Sequence, residues 1–289
     1  MIGLKPRFNY RHQKSHSGVL LRTPTGASQS ARQAELVTAS ALKLRVSGIV
    51  TSDGAGQVIG ALTRRRIRHH GIWFDTRSSD FSPVVRAQMF WGGYESTETR
   101  MIHNTLKGST AVVELGSSLG VTTAHIAAIM APGGRLICVE ANPRLIPGLA
   151  QRVARHASNL QVDLVHAAVT DHCGNTVLTI AGETVGSRVT RTPRANESTV
   201  EVPSLTLREI LHQANIAEFD LVSDIEGSET AFLLNDPDVL KGCRRAVIEL
   251  HNTSLRGRQV SVFDLIDAAA AAGFRLVRRH GPVVALARP

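Results

Sequence analysis

The sequence predicts an α/β domain built on a mostly parallel, doubly wound sheet with an antiparallel C-terminal edge hairpin. Between residues 111 and 272, short apolar runs of strand length alternate with longer segments of helical character. Connections of this kind place parallel strands side by side with helices on both faces of the sheet. Two more strand-like runs, separated by Gly281-Pro282, predict the hairpin.

Each element is predicted from its own local signals. Apolar runs followed by polar or small residues predict strands at 111–115, 135–140, 160–165, 219–224, 245–250, 274–278 and 283–286. Helices are expected at 121–130, where Pro132-Gly133-Gly134 ends the pattern, after Pro143, and over 260–272. Pro83 is expected to begin a helix that continues through Leu106. The polar stretch 182–198 predicts a loop or a ragged hairpin.

Length and composition indicate one large folded domain with an appendage. The chain has 289 residues, of which 43% are hydrophobic and 20% are charged, and this composition excludes general disorder. No apolar run approaches the roughly 18 residues of a membrane span, and the N-terminus lacks the apolar core of a secretory signal. Cys138, Cys173 and Cys243 are too scattered for a metal knuckle or a disulfide framework. We therefore expect a reduced, cytoplasmic setting.

Positive charge is concentrated at the N-terminal end. Residues 1–70 hold 12 of the 33 lysines and arginines but only two of the 24 acids, Glu35 and Asp53, which leaves the remainder close to neutral. We expect a basic, flexible leader at 1–40, a small β-rich lead-in at 41–82 with strands at 42–46 and 58–62, and the main domain at 83–289. The leader fits a solvated tail, a transit peptide, or a contact with nucleic acid or another anionic surface.

Candidate site residues follow the predicted strands. In an open α/β sheet, ligands bind beyond the carboxyl ends of the strands, where the strand order reverses. The first loop carries Gly116 and Gly120, which let the backbone approach a ligand at a helix N-terminus. No Gly-Lys-Ser/Thr follows, which excludes a Walker phosphate loop, and the GxGxxG pattern of nicotinamide sites is absent.

Glu140 ends the second predicted strand, 24 residues after Gly116. An acid at this place can accept hydrogen bonds from both ribose hydroxyls of an adenosine ligand. The spacing suits NAD and S-adenosylmethionine alike, whereas the first loop, with Glu114 before its glycine, favours the methyl donor.

Residues from about 90 to 251 resemble the FkbM family of S-adenosylmethionine-dependent methyltransferases. The resemblance is carried, in chain order, by Gly93-Tyr94-Glu95, Val113-Glu114-Leu115-Gly116-Ser117-Ser118-Leu119-Gly120, Val139-Glu140-Ala141-Asn142-Pro143, His166-Ala167-Ala168-Val169, Asp224-Ile225-Glu226-Gly227-Ser228-Glu229 and Ile248-Glu249-Leu250-His251. It implies a Rossmann-like class I methyltransferase fold and methylation of a hydroxyl on a sugar or a secondary metabolite. The chain departs from the family pattern at Ser117-Ser118, Arg208 and Val222, which leaves the substrate open.

The resemblance also implies roles for individual residues. The amino-acid part of the cofactor is expected to contact Glu114, Gly116, Ser117, Ser118 and Gly120. Its ribose is expected to contact Glu140, Ala141 and Asn142, and its adenine Ala167 and Ala168. Asp224, Glu226 and His251 are the candidate catalytic residues, and Tyr94 and Glu95 are expected to close over the cofactor or the substrate. Asp224 and Glu226 could instead bind a divalent cation, and His251 could be a structural histidine. The remaining histidines, including His69 and His70, are interpreted as surface or core residues.

Three other functions stay open at this stage. A nucleic-acid methyltransferase could use the basic leader as a clamp, although the Asn/Asp-Pro-Pro-aromatic element of base N-methylation is absent after the fourth strand. A non-catalytic protein could retain the fold, and an NAD-dependent oxidoreductase could share the ribose-binding acid. We expect the acceptor to be a small molecule or a carbohydrate rather than a nucleic acid.

Overall fold

The computed structural model describes residues 50–180, 188–189 and 198–289. The chain begins there with helix α1 (Asp53–Leu62), the hairpin β1 (Arg66–His69) and β2 (Ile72–Asp75), and helices α2 (Pro83–Phe90) and α3 (Ser96–Thr105). The strand predicted at 58–62 is wrong, because this segment lies in α1 and buries Gly56, Ile59 and Gly60 at helical spacing. The helix expected from Pro83 is interrupted by a turn between α2 and α3, and the strand predicted at 42–46 lies outside the described residues.

The central domain follows the predicted alternation. In chain order it contains β3 (Ala111–Leu115), α4 (Val121–Ile129), β4 (Arg135–Glu140), α5 (Ile146–His156), β5 (Gln161–His166), β6 (Ala168–Val169), β7 (Gly174–Ile180), β8 (Arg188–Val189), β9 (Ser198–Leu205), α6 (Leu207–Ala214), β10 (Phe219–Ser223), a π-helix (Ala231–Asn235), a 3-10 helix (Pro237–Gly242), β11 (Cys243–Glu249), β12 (Thr253–Leu255), β13 (Arg258–Val260), α7 (Val262–Ala271), β14 (Arg275–His280) and β15 (Val283–Ala287).

The main sheet has seven strands in the order β14-β15-β11-β10-β3-β4-β5. Neighbouring strands from β11 to β5 are parallel, and β15 is antiparallel to both β11 and β14, which confirms the predicted sheet and its C-terminal hairpin. The strand order reverses between β3 and β10, since β4 and β5 extend the sheet on one side and β11 extends it on the other. The carboxyl ends of β3 and β10 therefore meet at the switch point where such sheets bind ligands.

The inner strands β3 and β4 are almost entirely apolar because both faces of the sheet are covered there. Alternate residues of β3 and β4, Val113 and Ile137 among them, pack in one core with α6 and α7. Their neighbours, Val112 and Leu136 among them, pack in another core with α3 and α4. This alternation follows from the two-residue period of a strand, and the continuous apolar runs in the sequence are its direct consequence.

The upstream segment packs on the central domain. Ile67 and Phe74 of the β1–β2 hairpin share a core with Val121 and Ala124 of α4. The boundary expected at residue 83 stays a prediction, but the hairpin before it packs against α4 of the main domain.

A second sheet, in the order β6-β9-β7-β8, lies beyond the end of β5. Most of the stretch 182–198, predicted as a loop or hairpin, lies outside the described residues; its described part contains β8 and the start of β9. Within the described ranges, no helix combines the length and apolar character needed to span a bilayer.

Candidate active site

One crevice opens at the carboxyl ends of the central strands. Its polar and small lining residues come from the loops after β3, β4, β5 and β10 and include Gly116, Ser118, Glu140, Ala141, Ala167, Ala168, Asp224 and Glu226. Apolar side chains also line it, namely Val139, Leu145, Val169, Leu178, Val189 and Ile225. The structure therefore brings Gly116, Glu140 and Asp224 together, as their positions after three separate strands require.

The loops around the crevice hold unusual backbone conformations. Glu95, Ser118 and Glu226 all line it and adopt left-handed φ values of 45°, 45° and 52°. Such conformations cost non-glycine residues roughly 1–2 kcal/mol each and are concentrated at functional sites. The surrounding structure must therefore hold these three side chains in place.

Glu140 is anchored by backbone amides from two loops. The N–H of Ser118 donates to Oε2 at 2.7 Å, and the N–H of Asn142 donates to Oε1 at 2.6 Å. Burial raises the pKa of this carboxyl, and the backbone hydrogen bonds oppose that rise. Each carboxylate oxygen can accept a further hydrogen bond, so the anchored group is oriented to receive two donors from a ligand.

Several residues expected to contact the cofactor lie behind the wall of the crevice. Glu114 is buried, and its Oε2 accepts hydrogen bonds from Ser117 Oγ at 2.9 Å and Thr123 Oγ1 at 2.7 Å. Burial raises the pKa of Glu114 to about 7. This buried cluster ties the glycine loop to α4, so Glu114 and Ser117 fix the shape of the loop.

Gly120 and Asn142 also fix the backbone conformation of the loops in which they lie. Gly120 is the residue before α4, with φ of +69°, and a Cβ there would come within 2.8 Å of the Leu149 side chain. The buried Asn142 accepts a hydrogen bond on its side-chain oxygen from the N–H of Arg144 at 3.0 Å, which shapes the turn after β4.

Tyr94 and Glu95 have different environments. Glu95 lines the crevice and accepts a hydrogen bond from Thr122 Oγ1. Burial raises the pKa of Glu95. Tyr94 is buried beneath it, and burial together with the Glu95 charge raises the pKa of the phenol well above its ordinary value.

His251 stands among carboxylates at one end of the crevice. Its Nδ1 lies 3.0 Å from Glu229 Oε1, and its Nε2 lies 3.8 Å from Asp224 Oδ1 and 3.6 Å from Glu226 Oε2. Glu229 is fully buried and also accepts the Gly227 N–H at 3.3 Å. The buried carboxylate thus holds one ring nitrogen and turns the other toward Asp224 and Glu226.

Charges within this cluster shift its proton affinities. Burial lowers the pKa of His251, but the hydrogen bond and charge of Glu229, with the charges of Asp224 and Glu226, outweigh burial and raise it to about 9. Burial and the nearby Glu249 raise the pKa of Asp224 to about 8. Both groups therefore exchange protons somewhat above neutral pH, and the deprotonated form of either can accept a proton from a bound ligand.

Sequence reasoning assigned no role to three acids of this cluster. Glu229 supports His251, whereas Glu98 and Glu249 have carboxylate oxygens close to that of Asp224. Glu229 belongs to the Asp224–Glu229 motif and Glu249 ends a predicted strand, so both had a signal in the sequence. Glu98 had none, because it lies in the first turn of α3, where an acid is common for local electrostatic reasons.

The strand order, the glycine loop and the anchored acid after β4 together are the Rossmann-like architecture expected of an S-adenosylmethionine-dependent methyltransferase. The family model described as the methyltransferase FkbM domain matches residues 114–276, more than half of the chain. The chain therefore belongs to the FkbM methyltransferase family. No curated protein sequence matches it.

Solved structures similar to this chain include methyltransferases of low sequence identity. Fibrillarin from Aeropyrum pernix, solved with natively bound S-adenosyl-L-methionine, has 14% identity over 77% of this chain and 80% of that chain, with a TM-score of 0.41. The O-methyltransferase TomG from Streptomyces achromogenes has 15% identity over 67% of this chain and 81% of that chain, with a TM-score of 0.39. A protein in the NADB-Rossmann superfamily from Streptococcus agalactiae has 14% identity over 67% of this chain and 68% of that chain, with a TM-score of 0.39.

Proposed function

We propose that this methyltransferase binds S-adenosylmethionine in the crevice and methylates a hydroxyl group on a sugar or a secondary metabolite. The observation that carries the proposal is the convergence of Gly116, Glu140 and Asp224 on one crevice at the switch point of the sheet. When bound, the cofactor would supply a methyl group bonded to a positively charged sulfur. An acceptor oxygen in line with the carbon–sulfur bond would take the methyl group, and S-adenosylhomocysteine would leave. Correct placement of the acceptor supplies much of the acceleration of such a reaction.

The lining of the crevice fits the parts of this cofactor. The anchored Glu140 is suited to the two ribose hydroxyls, with Ala141 and Asn142 shaping its loop. Ala167 and Ala168, beside the apolar residues Val169 and Leu178, offer a narrow wall for adenine. Gly116 and Ser118 would border the amino-acid part, and the acidic end of the crevice favours a positively charged sulfur.

His251 and Asp224 are the groups to which we assign removal of the acceptor proton. Glu229 holds Nδ1 of His251, so the proton of an acceptor hydroxyl could move to Nε2 or to the Asp224 carboxylate. A positioned base of this kind contributes typically 10²–10⁴-fold to the rate. Glu226 and Glu95 border the same space and would orient the acceptor.

A divalent cation is the alternative for the acidic end. The ligand atoms of Asp224, Glu226 and His251 lie within 4.8 Å of one another, as do those of Glu98, Asp224 and Glu249. A carboxylate behind the histidine, here Glu229, is a common support for a metal-bound imidazole. A chelator titration followed by addition of Mg²⁺ separates a role in proton transfer from a role in cation binding. Activity that changes with neither treatment would exclude the cation.

Ligand binding tests the proposal directly. We expect S-adenosylhomocysteine to bind, as measured by calorimetry, and Glu140→Gln to weaken it about 10–100-fold through loss of charge-assisted hydrogen bonds. Asp163→Asn, which changes a half-exposed acid on β5, is the matched control and should bind as the wild type does. Absence of S-adenosylhomocysteine binding, or stronger binding of NAD, would overturn the proposal.

The acceptor class needs a separate experiment. We expect release of S-adenosylhomocysteine to require an acceptor with a free hydroxyl, and its O-methylated derivative to be inactive. Turnover with RNA instead of hydroxyl-bearing small molecules would point to nucleic-acid methylation, and turnover with none of them would favour a non-catalytic role. The free cysteines Cys138, Cys173 and Cys243 are consistent with the reduced, cytoplasmic setting that we propose for the reaction.

A further inference from the structure

A surface groove that shares no lining residue with the active-site crevice combines arginines with exposed aromatic side chains. It is lined by Thr63, Arg64, Arg66, Ile67, Arg68, Trp73 and Phe90. We refer to Arg64, Arg66, Arg68, Trp73 and Phe90, together with Val58, Leu62 and Trp91, which are exposed close by in the sequence, as the arginine–tryptophan face.

The β1–β2 hairpin creates this face by strand alternation. Ile67 and Phe74 point inward and are each only 1% exposed, so Arg66, Arg68 and Trp73 are left on the outer side. The strand register places Arg68 directly opposite Trp73. The side chain of Trp73 remains 56% exposed, although the residue stands in a regular strand.

Exposed apolar side chains are concentrated in this part of the molecule. Of the eight large hydrophobic side chains exposed among the described residues, five lie between positions 58 and 91, namely Val58, Leu62, Trp73, Phe90 and Trp91. Leu62 is 80% exposed at the end of α1, one turn after Val58, and the Phe90 and Trp91 rings are in edge contact at 5.1 Å. Such a concentration of exposed apolar groups is typical of an interaction site.

The charge around the face selects an anionic partner. Arg64, Arg65, Arg66 and Arg68 are all exposed, and Trp73 also borders a second groove that contains Arg77 and Arg155. Among the described residues that line that second groove, Asp75 is the only acid, and it is already paired with Arg77. Residues 1–49 are basic as well, with Glu35 as their single acid, so the leader of this chain is not complementary to the face.

We propose that the arginine–tryptophan face binds the surface of an anionic phospholipid membrane. Tryptophan and phenylalanine are suited to the headgroup boundary, aliphatic side chains such as Leu62 and Val58 can enter the acyl region, and arginines pair with lipid phosphates. A single-stranded nucleic acid would use the arginines and the aromatic rings but would leave the two protruding aliphatic side chains exposed to water. The basic leader would strengthen attraction to the same membrane.

The chain has two tryptophans, Trp73 and Trp91, and both belong to the face. Intrinsic tryptophan fluorescence therefore reports directly on the environment of the face. With the 289-residue chain, we expect vesicles of phosphatidylglycerol and phosphatidylcholine to shift tryptophan emission to the blue and to sediment the protein. Pure phosphatidylcholine vesicles and high salt should weaken both signals. Brominated lipids should quench the emission if the rings reach the acyl boundary.

Two sets of variants separate the face from the leader. Arg64→Gln, Arg66→Gln and Arg68→Gln combined should weaken vesicle binding about a hundredfold, and Leu62→Ser with Phe90→Ser should abolish the blue shift. The matched controls are Arg256→Gln, Arg258→Gln and Arg275→Gln combined, and Phe263→Ser with Leu276→Ser, which change equally exposed side chains elsewhere and should bind normally.

Circular dichroism should show native folding for every variant, since all the altered side chains are exposed. Vesicle binding that survives both face variants would assign it to the leader and overturn the proposal. Single-stranded RNA that quenches tryptophan emission where anionic vesicles do not would overturn it as well.

Discussion

The backbone carbonyl oxygen of Asp224 occupies the space that a side chain at Gly116 would need. A Cβ at position 116 would stand 1.9 Å from that oxygen, and Gly116 has φ of +86°. The loop after β3 and the loop after β10 therefore touch through backbone atoms at the switch point of the sheet. This contact brings the glycine loop and the acidic end of the crevice next to each other.

Gly116→Ala should consequently damage both stability and ligand binding. We expect it to lower the free energy of unfolding by about 3 kcal/mol or more, because overpacking against backbone adds to the strain of positive φ. Gly133→Ala is the matched control, since Gly133 has φ of +74° but a Cβ there would meet no atom within 4 Å, so it should cost only ~1 kcal/mol. Urea unfolding and S-adenosylhomocysteine calorimetry measure the two effects; equal stability losses would contradict the role of the Asp224 contact.

Glu229 should set the proton affinity of His251. Burial alone would lower the pKa of His251, and the Glu229 hydrogen bond is the first of the contributions that raise it to about 9. Glu229→Gln removes the charge, so we expect the pKa of His251 to fall by one unit or more, as measured by NMR titration of the imidazole ring. Glu201→Gln, at an exposed position on β9, should leave the titration unchanged.

The Glu229→Gln variant also shows which of the two candidate bases, His251 or Asp224, acts. If His251 takes the acceptor proton, the acidic limb of the pH–rate profile should move to lower pH with the pKa of His251. If Asp224 takes it, the limb should move to higher pH, because a less charged His251 no longer lowers the pKa of Asp224. An unmoved limb would show that neither group is the base.

A chain of three imidazoles lies between the β1–β2 hairpin and α3. Nδ1 of His69 is 3.1 Å from Nε2 of His125, and Nδ1 of His125 is 3.3 Å from Nε2 of His103. His69 and His125 are fully buried, so of the two places expected for these histidines, surface or core, both occupy the core. Burial lowers the pKa of His125 to about 3 and that of His69 to about 4, from 6.5.

These histidines should make the protein sensitive to acid. Below about pH 6.5 the unfolded chain protonates both imidazoles, whereas the folded chain does so only near pH 3–4, so stability falls as the pH falls through this window. We expect His125→Gln to be less stable at pH 7. Its free energy of unfolding should, however, fall less steeply as the pH is lowered, by about 1 kcal/mol per pH unit. Urea unfolding at a series of pH values measures this difference.

Comparison with the wild type isolates the histidine effect from the buried acids. Burial raises the pKa of Glu114 to about 7, so this group destabilises the fold as the pH rises from about 4.5 to 7, in the opposite sense. Glu114 is present in both proteins, and its contribution cancels in the difference. His280→Gln, at an exposed position on β14, should leave the slope unchanged; an equal change there would contradict the assignment to His125.

The sequence predicted those elements whose pattern is local. β3, β4, β10 and β11 are buried on both faces, so each appears as a short apolar run, and the acid or glycine after each run marks the crevice. Helix α1 was mistaken in part for a strand because five consecutive small and apolar residues, 58–62, carry no period that separates helix from strand.

Contacts between distant segments could not be predicted in the same way. The pairing of Glu229 with His251 depends on β10 and β11 being neighbours, and the grouping of Trp73 with Phe90 depends on how the hairpin packs beside α2. Nor does the sequence distinguish Ser117, turned toward Glu114, from Ser118, whose amide faces Glu140.

Asp220 should be essential for stability but not for ligand binding. It is fully buried at the start of β10, where its Oδ2 accepts hydrogen bonds from Ser109 Oγ and Arg245 Nη2, both at 2.6 Å. Arg245 also donates through Nη1 to the Thr105 carbonyl at 2.8 Å, so the network joins β10 and β11 to the end of α3. All these groups lie at the amino ends of the strands, opposite the crevice.

Asp220→Asn should therefore lower the free energy of unfolding by about 2 kcal/mol, because Ser109 and the partly buried Arg245 lose a charged hydrogen-bond acceptor. Asp236→Asn breaks the exposed pair with Arg208 and should cost less than about 1 kcal/mol. Affinity for S-adenosylhomocysteine should be unchanged in both variants below the urea transition. If Asp220→Asn proved as mild as Asp236→Asn, the strand ends would be held by their apolar packing alone, and the buried ion pair would add no net stability.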